Sequence, residues 1–302
     1  MRILLTGSTG QLGKALLKSK PNNILLLTPD RFQLDLSNEE DCKAIIHNQK
    51  PDWIINCAAF TNVDGAESDK EKAYQINYRA TEIFSQEIAK VGGKLLQIST
   101  DYVFDGLKKR PYEVHDLTNP QNIYGKSKVL AEKVIKNTLT LDNQFLILRT
   151  SWVLSPNGKN FLLTILNLLN NKDYIEVVND QVGCMTSAKY LAQTCWRLIE
   201  YNENYSSKSK SFPSLHHWND QGIVTWYDIA VAIKEMSKKI GIVQNPAEIK
   251  SICSNQLKQN AIRPNYSVLD CSKTEEILNI KRINWQESIH EILLSISKKT
   301  DK

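Results

Sequence analysis

The chain has 302 residues, of which 41% are hydrophobic, a share that supplies a sizeable core and argues against disorder. Its 38 basic and 33 acidic residues leave a formal charge of +5 without a basic block, so nucleic acid is not an expected partner. No stretch of about 18 apolar residues and no signal-peptide pattern occurs, so a cytoplasmic protein without membrane contact is expected.

Arg2 to Thr6 reads as a short buried strand that runs into Gly7-Ser-Thr-Gly-Gln-Leu-Gly13 and then a helix to about Lys18. Ile24 to Leu27 is a second strand, Glu39 to Asn48 a helix, Trp53 to Asn56 a strand and Glu71 to Lys90 a long helix. Leu95 to Ser99, Tyr124 to Lys136 and Phe145 to Arg149 continue as strand, helix, strand. Continuous apolar runs alternating with helical stretches predict βαβ units, an α/β fold with a doubly wound parallel sheet of Rossmann type over residues 1–150. Later elements are Phe161 to Leu169 (helix), Ile175 to Val178 (strand), and Lys189 to Glu200, Tyr227 to Lys239 and Trp285 to Ile296 (helices). They predict a smaller, mainly substrate-binding α/β lobe over 151–302, with about 175–200 returning to the first domain. Asn202 to Ser214 is polar and reads as a surface loop, and Lys298 to Lys302 as a frayed tail.

Gly7, Gly10 and Gly13 follow a strand and open a helix. A tight turn, close approach to a pyrophosphate and close helix–strand packing all need glycine there, and the helix N-terminus turns free N–H groups toward an anion. Gln11 and Leu12 belong to the same turn. The second strand ends in Thr28-Pro29 with Asp30 and Arg31 next; no acid stands at the strand end, so the reading leans to NADPH with NADH as alternative. Asp35, before Leu36, is a candidate for flanking the adenine or for capping the helix near Glu39.

Tyr124 and Lys128 form Y-x-x-x-K, which places a phenol and an ammonium on one helix face. The ammonium is expected to lower the phenol's pKa and make it a proton donor to an oxygen gaining charge. Thr100 and Asp101 sit at the C-terminal end of a strand, where α/β sheets place ligands, and Asn56-Cys-Ala-Ala59 ends the preceding strand with small residues. Six scattered cysteines make no C-x-x-C pair, so reduced thiols are expected; neither they nor His216-His217 have metal-ligand spacing. Trp196, Trp226 and Trp285 read as core residues, whereas Trp152 follows a strand end on the motif-bearing side.

These segments resemble the extended short-chain dehydrogenase/reductase family. The resemblance is carried by the glycine loop, Asn56-Cys-Ala-Ala59, Thr61-Asn-Val-Asp64, Ala66-Glu-Ser68, Ser99-Thr-Asp-Tyr-Val-Phe104 and Asn122-Ile-Tyr-Gly-Lys126. Arg149-Thr-Ser-Trp-Val153, Asn179-Asp-Gln181 and Arg263-Pro264 extend it over nearly the whole chain, in the family's order. It implies NAD(P)H-dependent reduction of the C4 keto group of a nucleotide-linked deoxysugar, with Tyr124 as proton donor, Lys128 as its partner and Thr100 as third catalytic group. It further implies cofactor contacts at Gly10, Gln11, Leu12, Asp35, Leu36, Ala58, Ala59 and Phe60. Val63, Asp101 and Trp152 would form the sugar pocket, and Arg263 would meet the nucleotide diphosphate. Gly183-Cys-Met-Thr186 lacks the family's proline before the threonine, so that loop is expected to differ in shape. Dehydration is disfavoured because Tyr102 follows Thr100-Asp101 where an acid would be needed. An epimerase and a non-catalytic, cofactor-binding regulatory subunit stay open as alternatives; the sequence leaves room for a homodimer and does not read out an interface Mg²⁺.

Overall fold

A computed structural model describes residues 1–206 and 211–300. Five strands, β1 (Arg2–Thr6), β2 (Leu25–Leu27), β3 (Trp53–Asn56), β4 (Lys94–Thr100) and β5 (Phe145–Thr150), join Leu215–His217 in one sheet. The spatial order from one edge is β2, β1, β3, β4, β5 and Leu215–His217, and every pair is parallel. The chain leaves β1 toward one edge and returns on the other side of it as β3. The topological switch point therefore lies between the ends of β1 and β3, where open α/β sheets bind ligands.

Alternation along the strands divides the core between two faces. Ile3, Leu5, Trp53, Ile55 and Leu96 pack on one face against the helix α1 (Gln11–Lys18) and the long helix Ala188–Ser206. Leu4, Ile54, Leu95 and Ile147 pack on the other, against helices Glu39–Gln49, Ala80–Lys90 and Ile123–Thr138. Both faces are covered, which is why these strands read as unbroken apolar runs. A second core gathers Leu162, Ile165 and Leu169 with Ile175, Val177, Ile229, Ile233, Ile289 and Leu293. Here strand Tyr174–Val178 pairs in parallel with Glu248–Ile252.

Three stretches differ from expectation. The long helix expected over Glu71 to Lys90 contains a π segment, Gln75–Arg79, between Lys70–Tyr74 and Ala80–Lys90. The helix expected to end near Glu200 continues to Ser206, because Asn202 and Glu203 are anchored from the sheet. Lys94 Nζ donates to Asn202 Oδ1 at 3.0 Å and to Glu203 Oε1 at 2.7 Å, and Trp53 Nε1 to the same Glu203 oxygen at 2.9 Å. Residues 207–210 of the polar segment lie outside the described residues, as do 301 and 302, while the helix Trp285–Thr300 includes most of the expected frayed tail.

Candidate active site

The switch point is built by a ladder of short polar contacts. Thr6 Oγ1 donates to Asn56 Oδ1 at 2.6 Å and accepts from the Ala58 amide at 3.2 Å. Asn56 Nδ2 continues to Gln97 Oε1 on β4 at 2.8 Å. Gly7 follows with φ +68°, and a Cβ there would lie 2.8 Å from the Ala58 nitrogen, so the loop and the β3 end must touch backbone to backbone. A Cβ at Gly13 would stand 2.2 Å from the Gly7 carbonyl oxygen, which is the close helix–strand packing that a dinucleotide turn requires. Gly10 caps α1 without a side-chain hydrogen bond, so the first N–H groups of that helix stay open to an anion.

The β4 end carries the second set of groups. Thr100 caps the short 3₁₀ turn Asp101–Val103 by accepting from the Tyr102 amide at 3.2 Å, and its hydroxyl donates to Asp101 Oδ1 at 3.0 Å. The facing helix Ile123–Thr138 starts at Asn122, whose side chain accepts from the Gly125 amide at 2.8 Å. A Cβ on Gly125 would stand 2.2 Å from the Tyr102 carbonyl oxygen, so glycine lets the helix start press onto that turn. Tyr124 thereby reaches Thr100, and the Tyr102 ring meets it edge-on at 6.0 Å.

The electrostatics depart from the sequence expectation. Lys128 does not lower the Tyr124 phenol: the lysine is 2% exposed and its Nζ donates to the Ile98 carbonyl at 2.7 Å. Tyr124 opens partly to the cleft yet is enclosed by protein elsewhere. Burial pushes its phenol up to about 12, and the Thr100 hydrogen bond offsets part of the rise. The phenol is thus held protonated, as a donor must be. Burial lowers Lys128 to about 8, opposed by the negative charge of Glu132. Burial likewise raises Asp101 to about 6.

Glu132 escaped the sequence reading. It lies four residues beyond Lys128 on the same stripe, accepts from Ser99 Oγ at 2.6 Å, and forks with buried Arg149 at 2.9 and 2.6 Å. The group ties the catalytic helix to β4 and β5 directly below Thr100. The spacing Y-x-x-x-K-x-x-x-E was the available signal.

A cleft of about 960 Å³ runs along the switch point. It brings together Gly7, Gly10, Gln11 and Leu12; Asp35 and Leu36; Ala58, Ala59 and Phe60; and Thr100, Asp101, Tyr124, Lys128 and Trp152. Gly13, Val63 and Arg263 do not line it. Gly13 packs beneath the loop, and Arg263 pairs with Asp64, Nη2 to Oδ2 at 2.5 Å. At the far end Arg31 and Lys72 flank Asp35, which accepts from the Ser37 amide and hydroxyl at 2.9 and 2.7 Å and so stays below the usual carboxylate range. Asp35 does not cap the next helix; Asn38 does. Trp226, read from sequence as core, lines the cleft and stacks on Trp152 with ring centroids 3.9 Å apart. Trp152 itself has φ +45°, a left-handed conformation uncommon outside glycine. Its ring fits against Gly183, where a Cβ would come within 2.7 Å of Cζ2. His216 and His217, by contrast, are buried at the sheet edge.

An all-parallel sheet with a long crevice at its switch point, closed at one end by a tyrosine and a lysine one helical turn apart, is the build of a short-chain dehydrogenase/reductase. The comparisons narrow this class. The chain belongs to the RmlD substrate binding domain family, whose model matches residues 1–297. It is 34% identical over 293 residues to the dTDP-4-dehydrorhamnose reductase of Aggregatibacter actinomycetemcomitans, covering 96% of this chain and 98% of that one. It is 35% identical to the spore coat polysaccharide biosynthesis protein SpsK of Bacillus subtilis (strain 168), covering 99% of both. The crystal structure of dTDP-4-dehydrorhamnose reductase from Bacillus anthracis str. Ames in complex with NADP superposes with a TM-score of 0.87 at 28% identity, covering 97% of this chain and 99% of that one.

Proposed function

We propose that this chain reduces the C4 keto group of dTDP-4-dehydro-L-rhamnose with NAD(P)H, giving dTDP-L-rhamnose for cell-surface polysaccharide. The observation that carries the reading is the meeting of Thr100, Tyr124 and Lys128 in the cleft that begins at the glycine loop. The relatives named above supply the substrate.

The residues fit a dinucleotide, because Gly7 leaves the β3 end bare of side chain where a Cβ would block it. The glycine loop and the open N–H groups of α1 would hold the diphosphate, Asp35 and Leu36 would flank the adenine, and Ala58, Ala59 and Phe60 would lie along the middle. The reduced nicotinamide, when bound, supplies the hydride. Tyr124 binds the ketone oxygen and gives it a proton; a phenol near 12 is fully protonated at neutral pH, and a nascent alkoxide is a much stronger base. Thr100, by turning its one hydroxyl proton from Asp101 Oδ1 to that oxygen, shares the hydrogen bond and orients the phenol. Lys128, positively charged below about pH 8, holds its charge next to the reacting centre and is positioned for ribose hydroxyls.

Residues 1–150 are proposed to hold the cofactor and 151–302 mainly the nucleotide sugar, with Trp152 and Asp101 at the sugar, Val63 beside them and Arg263 at its diphosphate. Tyr102 is directed to Arg263 and does not line the cleft, so no acid stands where a dehydratase would need one. Among the described residues no helix is long and apolar enough to cross a membrane, and the reading takes the enzyme as cytosolic. The test is oxidation of NADPH and NADH by the purified chain alone with dTDP-4-dehydrorhamnose. One reduced cofactor should be consumed per sugar. Turnover without net cofactor consumption would make it an epimerase, and cofactor binding with no turnover a regulatory subunit.

A further inference from the structure

The glycine loop brings a helix terminus to its ligand but no cation: residues 7–13 contain neither lysine nor arginine. A terminus of an eight-residue helix offers about half an elementary charge, against the two negative charges of a dinucleotide diphosphate. Among the described residues the cleft is lined by four cations, Arg31, Lys72, Lys128 and Lys159. Arg31 and Lys72 stand together at the adenine end, beside Asp35. Lys128 is at the opposite end and committed to the Ile98 carbonyl. Lys159 lies in the second lobe, is exposed, and forms no ion pair among the described residues.

The loop that carries Lys159 is fastened to the glycine loop by one side chain. Gln11 Nε2 donates to the Val153 carbonyl at 3.1 Å, and Gln11 Oε1 accepts from Ser155 Oγ at 3.0 Å and Asn160 Nδ2 at 2.9 Å. Both ends of the amide are thereby engaged with the second lobe, across more than 140 residues of chain. Asn160 Nδ2 also reaches the Ser155 carbonyl at 2.9 Å, so the loop closes on itself. Gly158 turns it with φ +78°, and a Cβ there would approach Gln11 Cγ to 3.3 Å. The residue next to that contact is Lys159.

We propose that Lys159 binds the diphosphate of the nicotinamide cofactor, and that Gln11 acts on that diphosphate as a positioning residue by holding the Ser155–Asn160 loop over the glycine turn. The inference rests on the dinucleotide reading of the cleft and not on the identity of the sugar. It gives each of the three parts of the cofactor a positive partner: Arg31 and Lys72 the adenosine side, Lys159 the diphosphate, Lys128 the nicotinamide side.

The diphosphate is common to NADH and NADPH, whereas the 2′-phosphate is not, and this makes the test selective. Binding of both cofactors to the full chain is measured by titration calorimetry without sugar. Lys159→Met should weaken NADH and NADPH equally, by roughly tenfold, the usual scale for a hydrogen bond to a charged group. It should also flatten the salt dependence of both, and Lys159→Arg should restore both to within about threefold of the parent. Arg31→Ala should weaken NADPH alone. Gln11→Ala should weaken both cofactors, and in the double variant with Lys159→Met the two losses should not add, as expected for residues acting through one contact. Unchanged binding in Lys159→Met, with circular dichroism showing a folded protein, overturns the proposal, and loss of NADPH alone moves Lys159 to the 2′-phosphate and overturns it equally. Additive losses overturn the role of Gln11. A parent chain that binds both cofactors but leaves the sugar untouched would refute the reductase reading and leave this assignment standing.

Discussion

The two ends of the cleft are built on opposite principles. At the catalytic end Thr100, Asp101 and Lys128 are 6%, 2% and 2% exposed, and each is fixed by a hydrogen bond within the protein. At the adenine end Asp30, Arg31 and Lys72 are exposed, and Asp30 is turned back to accept from the Phe32 and Gln33 amides of its own loop. Dipoles fixed in a dry environment act on charge as it develops without reorganising, while exposed charges are screened by water and salt. Substitutions at the first end should therefore change turnover, and those at the second should change affinity and cofactor choice with little effect on the chemical step.

The strongest test of that contrast is Tyr124→Phe. It removes one hydroxyl and leaves the ring against Tyr102, so cofactor binding should survive while turnover falls by roughly 10²–10⁴, the range for a general acid. A variant within a few-fold of the parent would take the phenol out of the reaction. Lys128 gives the next effect. Because burial lowers its pKa to about 8, the ammonium is present below that pH and lost above it, so kcat/KM should fall as pH rises through about 8. Lys128→Ala should lower the rate and cofactor affinity together and erase that limb from the pH profile. A profile identical in parent and variant would assign the limb to another group.

How much of this could be read in the sequence depended on the distance over which each feature is decided. The glycine loop and the strand ends at Asn56 and Thr100 are local: steric demand within a few residues forces small or polar side chains there, and the spacing shows it. The i, i+4 geometry of Tyr124 and Lys128 is equally local. Which group Lys128 would touch was not, since the Ile98 carbonyl comes from a strand thirty positions earlier. The ammonium's expected effect on the phenol failed for that reason, and burial decided the shift instead. Trp226 reads as core because apolar helix faces look alike whether they meet another helix or a cleft wall. Only the fold shows it stacked on Trp152. Asn202 to Ser206 reads as a loop by composition, yet Lys94 and Trp53 on the sheet hold it helical. The fastening of Gln11 to the second lobe had no local trace at all.

Arg263 gives the smallest expected effect and the sharpest question about the two lobes. The resemblance assigns it to the substrate diphosphate, but here its guanidinium forks onto Asp64 at 2.5 and 3.3 Å. Asp64 also accepts from the Asn260 and Ala261 amides, both at 3.0 Å, and the Arg263 hydrogen bond, first among these contacts, holds its carboxyl below the ordinary range. The pair therefore pins the loop around residue 260 to the helix Val63–Ser68. Arg263→Ala should raise KM for the nucleotide sugar by up to about tenfold and leave KM for the nicotinamide cofactor nearly unchanged. Asp64→Asn separates the two ways in which this can arise. If Arg263 meets the diphosphate directly, freeing it from Asp64 should leave substrate KM close to the parent value, because the guanidinium still carries its charge. If its work is to hold the loop, Asp64→Asn should reproduce the full effect of Arg263→Ala. A larger rise in KM for NADPH than for the sugar, in either variant, would move Arg263 to the cofactor side of the cleft.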